Sequence, residues 1–228
     1  MAGHAKDKAP VLTIDGPSGA GKGTLSQLMA SRLGWHFLDS GALYRLAALS
    51  ALSHGIDLDR AEDVALVAAH LDIHFDPDSG QVLLEGDDVT RVLRTEETGG
   101  AASRVAAHTE VRQALLERQR AFRVAPGLVA DGRDMGTVVF PDAELKIFLT
   151  ASAEERARRR VAQLRESGGE ADFEAVLADV QARDERDRNR KDSPLIPATD
   201  AITVDSTHLN VEAVLEAIME QARARGLF

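Results

Sequence analysis

The spacing of apolar residues changes at a glycine-rich stretch near the start of the chain. Before this stretch, Val11–Ile14 is a short run of mainly apolar and β-branched residues. After it, apolar residues recur at helical spacing at Leu25, Leu28 and Leu33. A short β-branched run is typical of a buried strand, and a period of 3.6 residues indicates an amphipathic helix. The pattern predicts a strand, a loop and a helix in that order.

The same alternation continues toward the end of the chain. Further short apolar runs predict four more strands, at Trp35–Leu38, Leu128–Ala130, Lys146–Leu149 and Ile202–Val204. Polar residues suited to cap the later helices are Ser152, Asp172 and Asn210. Five strands that alternate with helices favour an α/β fold with a parallel sheet flanked by helices.

The segment from about Ile56 to Thr95 departs from this alternation. A helical stretch precedes two short apolar runs, Ile73–Phe75 and Val82–Leu84, which are joined by a turn that includes Gly80. Short strands connected by tight turns are typical of an antiparallel hairpin or meander, which has no place in a parallel sheet. We therefore expect an inserted subdomain in this part of the chain.

Composition and charge narrow the class of protein. The 228 residues are 44% hydrophobic and 28% charged, which is close to average globular usage. The absence of cysteine excludes disulfides, thiolate metal sites and cysteine nucleophiles. A net charge of -10 disfavours broad nucleic-acid binding, which needs a basic face. Because no apolar run is long enough to span a bilayer, we expect a cytoplasmic protein with no nucleic-acid or membrane partner.

The loop after the first predicted strand carries the clearest chemical signal. The spacing of a phosphate-binding loop, or P-loop, is met by Gly16-Pro17-Ser18-Gly19-Ala20-Gly21-Lys22-Gly23-Thr24. Glycines let successive backbone N–H groups turn toward phosphate oxygens, and the following helix N-terminus favours negative charge. We expect this loop to wrap a polyphosphate tail, with Lys22 reaching the outer phosphates.

The residue after the lysine departs from the general P-loop pattern. Ser or Thr commonly stands there and ligates Mg²⁺, whereas this chain has Gly23 and places the hydroxyl one residue later, at Thr24. We therefore do not expect this loop to ligate Mg²⁺ directly. The Gly-Lys-Gly-Thr form resembles that of nucleoside monophosphate kinases, and this resemblance implies no direct metal ligand in the protein and contact through water at Thr24 or Asp131. Asp131 ends an apolar strand as a Walker B carboxylate does, and a capped turn aspartate is the alternative interpretation.

Three longer stretches together resemble the bacterial cytidylate kinases, a family of the P-loop nucleoside monophosphate kinase group. The stretches are Ile14–Thr24, Leu38–Arg45 and Ala130–Pro141, and the arginine-rich stretch Arg183–Arg190 is a fourth. The similarity runs from about Ala9 to Ala224. It implies an enzyme of pyrimidine nucleotide metabolism that binds ATP with Mg²⁺ and transfers the γ-phosphate to CMP or dCMP.

The resemblance also implies how the chain is divided. Residues 9–55 and 103–228 would form a P-loop kinase core, with a helical lid at about residues 155–197. Residues 56–102 would form a small, β-containing subdomain that binds the acceptor. Closing the lid would expel water and so limit transfer of the phosphate to water. We expect a monomer.

Phosphoryl transfer needs positive charge around the moving group, and arginine suits that need. Its planar fork holds two phosphate oxygens at once and stays protonated near neutral pH. The resemblance places the acceptor phosphate near Ser40, Tyr44 and Arg45, whose spacing is helical, and it gives Arg133 a contact to the same phosphate. An exposed arginine at a helix start is the alternative interpretation of Arg45.

Recognition of the base is expected after the strand that ends near Asp131. Cytosine presents an exocyclic amine beside acceptors, so its binding site needs a carboxylate and donors. Asp134 supplies the carboxylate, and the resemblance adds Ser103 and Arg112. Uracil would place a carbonyl against Asp134, which penalises UMP as an acceptor.

Arg183, Asp187 and Arg190 have the spacing of one helix face. The resemblance implies that the two arginines reach phosphate or ribose and that Asp187 accepts a hydrogen bond from a ribose hydroxyl. A solvated charged helix with internal ion pairs is the alternative interpretation. With Lys22 and Arg133, the two arginines are the expected catalytic residues.

The densest basic run is Arg156, Arg158, Arg159 and Arg160. Acidic residues surround it and no aromatic residues are interleaved, which disfavours a nucleic-acid surface. We expect a solvated helix near the ATP site.

Two other functions stay open from the sequence. One is a P-loop kinase for another acceptor, such as UMP. The other is a nucleotide-binding switch, although the chain has no Asn-Lys-x-Asp guanine reader and no Asp-x-x-Gly switch motif.

Overall fold

The structure is a computed structural model that describes residues 8–76, 79–166, 168 and 170–228. The chain forms two compact units. The first, here called the nucleotide unit, comprises Met1–Leu38 and Arg120–Phe228, and the second, here called the inserted unit, comprises Asp39–Gln119. The functional subdomain expected at residues 56–102 covers only part of the inserted unit, and its boundaries stay a prediction.

Strands and helices alternate through most of the described chain. In order they are β1 (Val11–Asp15), α1 (Lys22–Leu33), β2 (His36–Asp39), α2 (Ser40–Ser53), α3 (Ala61–Ala69), β3 (Ile73–Phe75), β4 (Val82–Leu84), β5 (Asp87–Asp88), α4 (Glu96–Val105), α5 (Thr109–Arg120), β6 (Leu128–Gly132), β7 (Leu145–Thr150), α6 (Ala153–Glu166), α7 (Phe173–Asn189), β8 (Ile202–Asp205) and α8 (Val211–Ala224). A 3-10 turn spans Val92–Arg94 and a π-helical turn spans Met135–Val139. In the part of the chain that the structure describes, no helix is both long and apolar enough to cross a membrane.

The larger sheet has five parallel strands in the order β2-β6-β1-β7-β8, which confirms the predicted α/β fold. All five residues of the central strand β1 are buried, as expected for a strand covered on both faces. Apolar side chains of the sheet, such as Ile14 and Ile147, share one core with Leu25 of α1 and Leu215 of α8. This core fixes the carboxyl ends of β1 and β6 side by side, with Ile14 opposite Asp131.

The inserted unit contains the small antiparallel sheet that the sequence predicts. Strand β4 pairs with β3 on one side and β5 on the other, with Leu84 opposite both Ile73 and Asp87. Glu85, in the turn between β4 and β5, accepts hydrogen bonds from the hydroxyl of Ser50 (2.6 Å) and contacts His54 Nε2 (3.0 Å). These contacts attach the turn to the end of α2.

The three predicted helix caps are present. Ser152 Oγ accepts from the amide of Glu155 at 3.1 Å, Asp172 caps α7, and Asn210 caps α8. Each cap satisfies an amide that the first turn of a helix leaves without a partner in the helix itself. The caps fix where α6 and α7 begin, and both helices carry residues that are described below with the candidate site.

Candidate active site

The P-loop connects β1 to α1 and depends on glycine at defined positions. The backbone is left-handed at Gly19 and Gly21, with φ of +78° and +94°. A Cβ added to Gly16 would lie 1.9 Å from the carbonyl oxygen of Leu149, so no side chain fits there. Helix α1 begins at Lys22, which places its N-terminus at the loop. The predicted order of strand, loop and helix is confirmed, and the helix end favours an anion there.

Lys22 lies buried within its own loop. Its Nζ donates to the carbonyl oxygen of Pro17 at 2.9 Å. Burial, followed by repulsion from Arg133, lowers the pKa of Lys22 to about 7, and attraction to Asp131, Asp15 and Asp187 offsets only part of that change. A phosphate bound beside this amine would raise its pKa again by attraction. Lys22 is therefore poised to gain full charge when an anion arrives.

The connection from β6 to β7, residues 133–144, is here called the loop after β6, and it begins beside the P-loop. Asp131 is buried at the end of β6. A Cβ on Gly23 would lie 3.6 Å from Asp131 Oδ2, so this carboxylate lies next to the residue that follows Lys22. The end of β6 therefore places a carboxylate at the start of α1, where a Walker B residue is expected.

Arg133 and Asp187 form an ion pair in the nucleotide unit. Arg133 Nε donates to Asp187 Oδ2 at 3.0 Å, and the Asp187 side chain is only 7% exposed. Burial alone would raise the pKa of Asp187, but Arg133, Arg190 and Arg183 together hold it below the usual range. The structure thus brings these three predicted arginines around one carboxylate. The alternative, a solvated charged helix with internal ion pairs, is wrong at Asp187 because this side chain is buried and pairs with Arg133 of another segment, while the roles of the arginines stay a prediction.

Asp187 lies on α7, whereas Arg190 lies one residue beyond the end of the helix. Arg190 Nη2 donates to the carbonyl oxygen of Ser193 at 2.9 Å. The single helix face expected for all three residues therefore extends from Arg183 to Asp187 only.

Asp15 lies in this region and was not among the predicted site residues. It ends β1, directly before the P-loop, and its two carboxylate oxygens accept from the amides of Met135 and Gly136, each at 2.8 Å. Burial raises the pKa of Asp15 to about 7, although the two amides and Lys22 act in the opposite direction. Asp15 therefore anchors the turn that follows Asp134, which is itself buried. The signal in the sequence was a carboxylate placed between a buried strand and a P-loop glycine.

The inserted unit holds the other predicted acceptor residues. Ser40 and Tyr44 are buried on α2, and Ser103 is buried on α4. The guanidinium of Arg112, on α5, lies over the Tyr44 ring at 5.4 Å from its centre, so this unit brings two of the candidates together. Arg45 instead donates through Nη1 to the carbonyl oxygen of Leu93 at 2.7 Å.

The basic run of α6 is not the solvated surface that the sequence predicts. Arg158 is exposed, but the Arg156 side chain is 2% exposed and binds the carbonyl oxygen of Ser18 through Nη1 at 3.0 Å. Arg159 donates through Nη2 to the carbonyl oxygen of Ser206 at 2.7 Å. The expectation is wrong for Arg156 because its neighbours in sequence do not show which carbonyls and carboxylates surround it in the fold.

Sequence comparison identifies the protein family to which the chain belongs. The family model for cytidylate kinase matches residues 12–224, which is nearly the whole chain. The chain belongs to the cytidylate kinase family. Cytidylate kinases from Pseudomonas paraeruginosa and Aeromonas hydrophila are 61% and 60% identical to it, over 221 and 216 residues. These alignments cover 95% and 94% of this chain and 96% and 94% of the relatives.

Solved structures in the comparison are more distant from this cytidylate kinase family member. A crystal structure of TT1252 from Thermus thermophilus has a TM-score of 0.45 at 24% identity and covers 94% of this chain and 98% of its own. A shikimate kinase from Bacteroides thetaiotaomicron has a TM-score of 0.45 at 13% identity, with the same coverage. The assignment to the cytidylate kinases therefore rests on the sequence relatives.

Proposed function

We propose that this chain transfers the γ-phosphate of ATP to CMP or dCMP, giving ADP and CDP or dCDP. Membership of the cytidylate kinase family supports the reaction. The single structural observation that supports it best is the arrangement at the carboxyl ends of the neighbouring strands β1 and β6, where Lys22 is buried in the P-loop and Arg133 binds Asp187 at 3.0 Å. Ligands of open α/β sheets bind at the carboxyl ends of the strands.

The chemistry requires positioning and positive charge more than covalent help. A phosphate oxygen of CMP attacks the γ-phosphorus of ATP in line. The bond between that phosphorus and the β,γ-bridging oxygen breaks, and ADP leaves with this oxygen. No covalent intermediate with the protein is formed. Lys22 and the guanidinium groups of Arg133, Arg183 and Arg190 are proposed to hold the charge of the moving group.

The P-loop, from Gly16 to Thr24, is proposed to bind the phosphates of ATP. The left-handed glycines leave the loop open for backbone amides to surround an anion. The hydrogen bond from Lys22 to Pro17 is proposed to exchange for bonds to phosphate when ATP binds. Because phosphate oxygens carry full negative charge, that exchange strengthens the interaction of Lys22.

Mg²⁺ is proposed to accompany ATP, and the residues present fit a metal held through water. Asp131 offers a buried carboxylate beside Gly23, and Thr24 is exposed at the start of α1. Among the described residues, no group of three or more carboxylate or imidazole side chains forms a metal-binding cluster. When bound, the ion neutralises charge on the β- and γ-phosphate oxygens.

Two groups of residues are proposed to contact the acceptor. In the nucleotide unit, Asp134 is assigned to the exocyclic amine of cytosine and Asp187 to a ribose hydroxyl, with Arg133 on the acceptor phosphate. In the inserted unit, the proposed contacts are those of Ser40, Tyr44, Arg45, Ser103 and Arg112. The stacking of Arg112 over Tyr44 supports this second group, because it orders two of its members in the protein itself.

An acceptor screen tests the proposed function. Purified protein is mixed with ATP, Mg²⁺ and one nucleoside monophosphate at a time, and ADP formation is followed in a coupled assay. CMP and dCMP are expected to be the best acceptors, with UMP slower and ATP hydrolysis minor without an acceptor. Good turnover of another monophosphate with none of CMP or dCMP refutes the substrate. Binding of GTP in preference to ATP, with no phosphorylation of any acceptor, indicates a switch instead.

A cytoplasmic monomer is proposed as the working form of the enzyme. The proposed reaction uses ATP and free nucleotides, which fits that location. Sedimentation of the purified protein tests the monomer, since a dimer would double the mass of 24.5 kDa.

A further inference from the structure

A buried arginine lies directly beneath the P-loop. Arg156, in the first turn of α6, donates through Nε to the carbonyl oxygen of Ala151 and through Nη1 to that of Ser18, each at 3.0 Å. A Cβ on Gly19 would lie 3.2 Å from Arg156 Cβ, so the loop rests on this side chain. Arg156 therefore fixes the first half of the P-loop from within the protein.

The same guanidinium holds a carboxylate of α7. Arg156 Nη1 donates to Asp184 Oδ1 at 3.0 Å, and Nη2 donates to Asp184 Oδ2. This is the paired geometry in which arginine and carboxylate meet edge to edge, and it fixes direction as well as distance. Both side chains are buried, at 2% and 7% exposure. One side chain thus joins the P-loop to α7.

Helix α7 packs against α6, but its apolar face is only partly buried. Its two fully buried residues are Asp184 and Asp187, while its apolar residues Val176, Leu177 and Val180 are only half-buried. A cavity of about 560 Å³ also lies along this part of the helix, lined by Gln181 and Asp184 among others. Apolar burial is not directional, so two ion pairs set the rotation of α7 more tightly than its partly buried apolar face does.

The two ion pairs of α7 lead to different parts of the site. Asp187 binds Arg133, which belongs to the loop after β6. Asp184 binds Arg156, which belongs to the support of the P-loop. Arg183 is the neighbour of Asp184 in the chain, so a change in the rotation of α7 at Asp184 moves Arg183.

We propose that Arg156 is a positioning residue that, through Asp184, holds α7 and its Arg183 and Asp187 in place relative to the P-loop. The proposal rests on the proposed function, because it assigns Arg156 to the transfer step rather than to stability. Buried ion pairs often add little net stability, since the cost of removing two charges from water offsets their attraction. Their contribution here is the geometry of the arginine fork, which lysine cannot reproduce.

Three variants of the pair and one control separate positioning from stability. Arg156→Lys keeps the positive charge but removes the planar guanidinium that donates two parallel hydrogen bonds. Asp184→Asn keeps the size and shape of the side chain but removes its negative charge. Arg156→Met combined with Asp184→Leu replaces the pair with apolar side chains, which is often neutral or stabilising. Arg158→Lys is the matched control, because Arg158 lies on the same helix but is 64% exposed.

The measurements are urea unfolding, kcat and KM with ATP and CMP, and the ratio of ATP hydrolysed without transfer to CDP formed. Misplacing groups by about 1 Å can cost about a hundredfold in rate. We therefore expect kcat of folded protein to fall about 10- to 100-fold in all three pair variants. The ratio of hydrolysis to transfer is expected to rise, which a smaller folded fraction alone does not cause. The Arg158→Lys control is expected to match the wild type.

Each outcome decides the proposal. A folded pair variant with kcat and hydrolysis ratio within twofold of the wild type overturns it. Failure of all three pair variants to fold, while Arg158→Lys folds, assigns the pair to stability and also overturns it. A wild-type protein that uses another acceptor in place of CMP refutes the proposed substrate instead, and the same ratios are then measured with that acceptor.

Discussion

Two loops follow neighbouring strands of the parallel sheet, and they are held in shape by different means. The P-loop after β1 is shaped by its backbone, since Gly16 lies where no side chain fits and Gly21 is left-handed. The loop after β6 is held by carboxylates from other segments, with Asp15 accepting two of its amides and Asp187 binding Arg133. Substitutions that add a side chain should therefore disturb the P-loop most, whereas substitutions that remove a carboxylate should disturb the loop after β6 most.

The difference follows from what each loop is proposed to bind. Phosphates of many nucleotides are alike, and backbone amides bind them without reading a base. Recognition of one base needs donors and acceptors at fixed positions, which side chains provide. The comparison predicts that changes in the P-loop reduce all turnover or the fold itself, whereas changes in the loop after β6 alter selectivity and pH response.

The largest expected effect is that of Lys22→Met. It removes the one lysine of the P-loop and should lower kcat about 1000-fold, because the charge that is proposed to stabilise the transition state is lost. The free energy of unfolding should stay the same or rise, since a buried amine no longer loses its hydration. Lys146→Met is the control: Lys146 is also buried and donates to a carbonyl five residues earlier. Activity above a tenth of wild type in Lys22→Met contradicts the role of this lysine.

Gly16→Ala is expected to affect the fold itself. The added Cβ would lie 1.9 Å from a carbonyl oxygen of β7, so the free energy of unfolding should fall by more than about 3 kcal/mol. Gly34→Ala is the control, because Gly34 also has a positive φ but open space around it, and it should cost about 1 kcal/mol. Urea unfolding measures both. Equal losses in the two variants would show that close approach of the backbone does not govern Gly16.

Asp134→Ala tests selectivity in the loop after β6. Loss of a buried carboxylate that is proposed to accept from the exocyclic amine should lower kcat/KM for CMP about 100-fold and leave KM for ATP nearly unchanged. The preference for CMP over UMP should largely vanish. Asp142→Ala removes an exposed carboxylate of the same connection, which pairs with Arg123, and serves as the control. A preference for CMP that survives in Asp134→Ala would assign base recognition to other residues.

The smallest expected effect is the pH dependence contributed by Asp15. Its pKa is about 7 in the folded protein, against 3.8 for a free side chain. Between these values the folded protein holds a proton that the unfolded chain has lost, so this contribution to stability decreases as pH rises toward 7 and is constant above it. Asp15→Asn has no carboxyl group that can titrate at this position. From pH 5 to pH 7, unfolding free energy of the wild type should fall by about 2 kcal/mol relative to Asp15→Asn. A difference that grows with pH would contradict the raised pKa.

Much of the fold was predictable because its signals are local. The five strands of the parallel sheet follow from short apolar runs, and the antiparallel meander follows from Ile73–Phe75, Val82–Leu84 and the turns beside them. The caps at Ser152 and Asn210 follow from the residues at the helix starts. Each of these features depends on residues a few positions apart, so a single sequence contains the information.

Arg156 and Asp15 were not predictable in the same way. Arg156 looks like its neighbour Arg158 in the sequence, yet one binds a carboxylate 28 residues away and the other is exposed. Asp15 binds amides 120 residues and more along the chain. The spacing of charges along a helix shows which of them share a face, but it does not show which segment covers that face.

The sequence by itself determined the P-loop, the order of strands and helices, and the residue types that the chemistry needs. Glycine, lysine and arginine act there through properties of the single residue, such as backbone freedom or a permanent charge. Only the tertiary structure decided which carboxylate each arginine faces and which charges are removed from water. Those pairings depend on where distant parts of the chain cross, and burial then sets the strength and the pKa of each group.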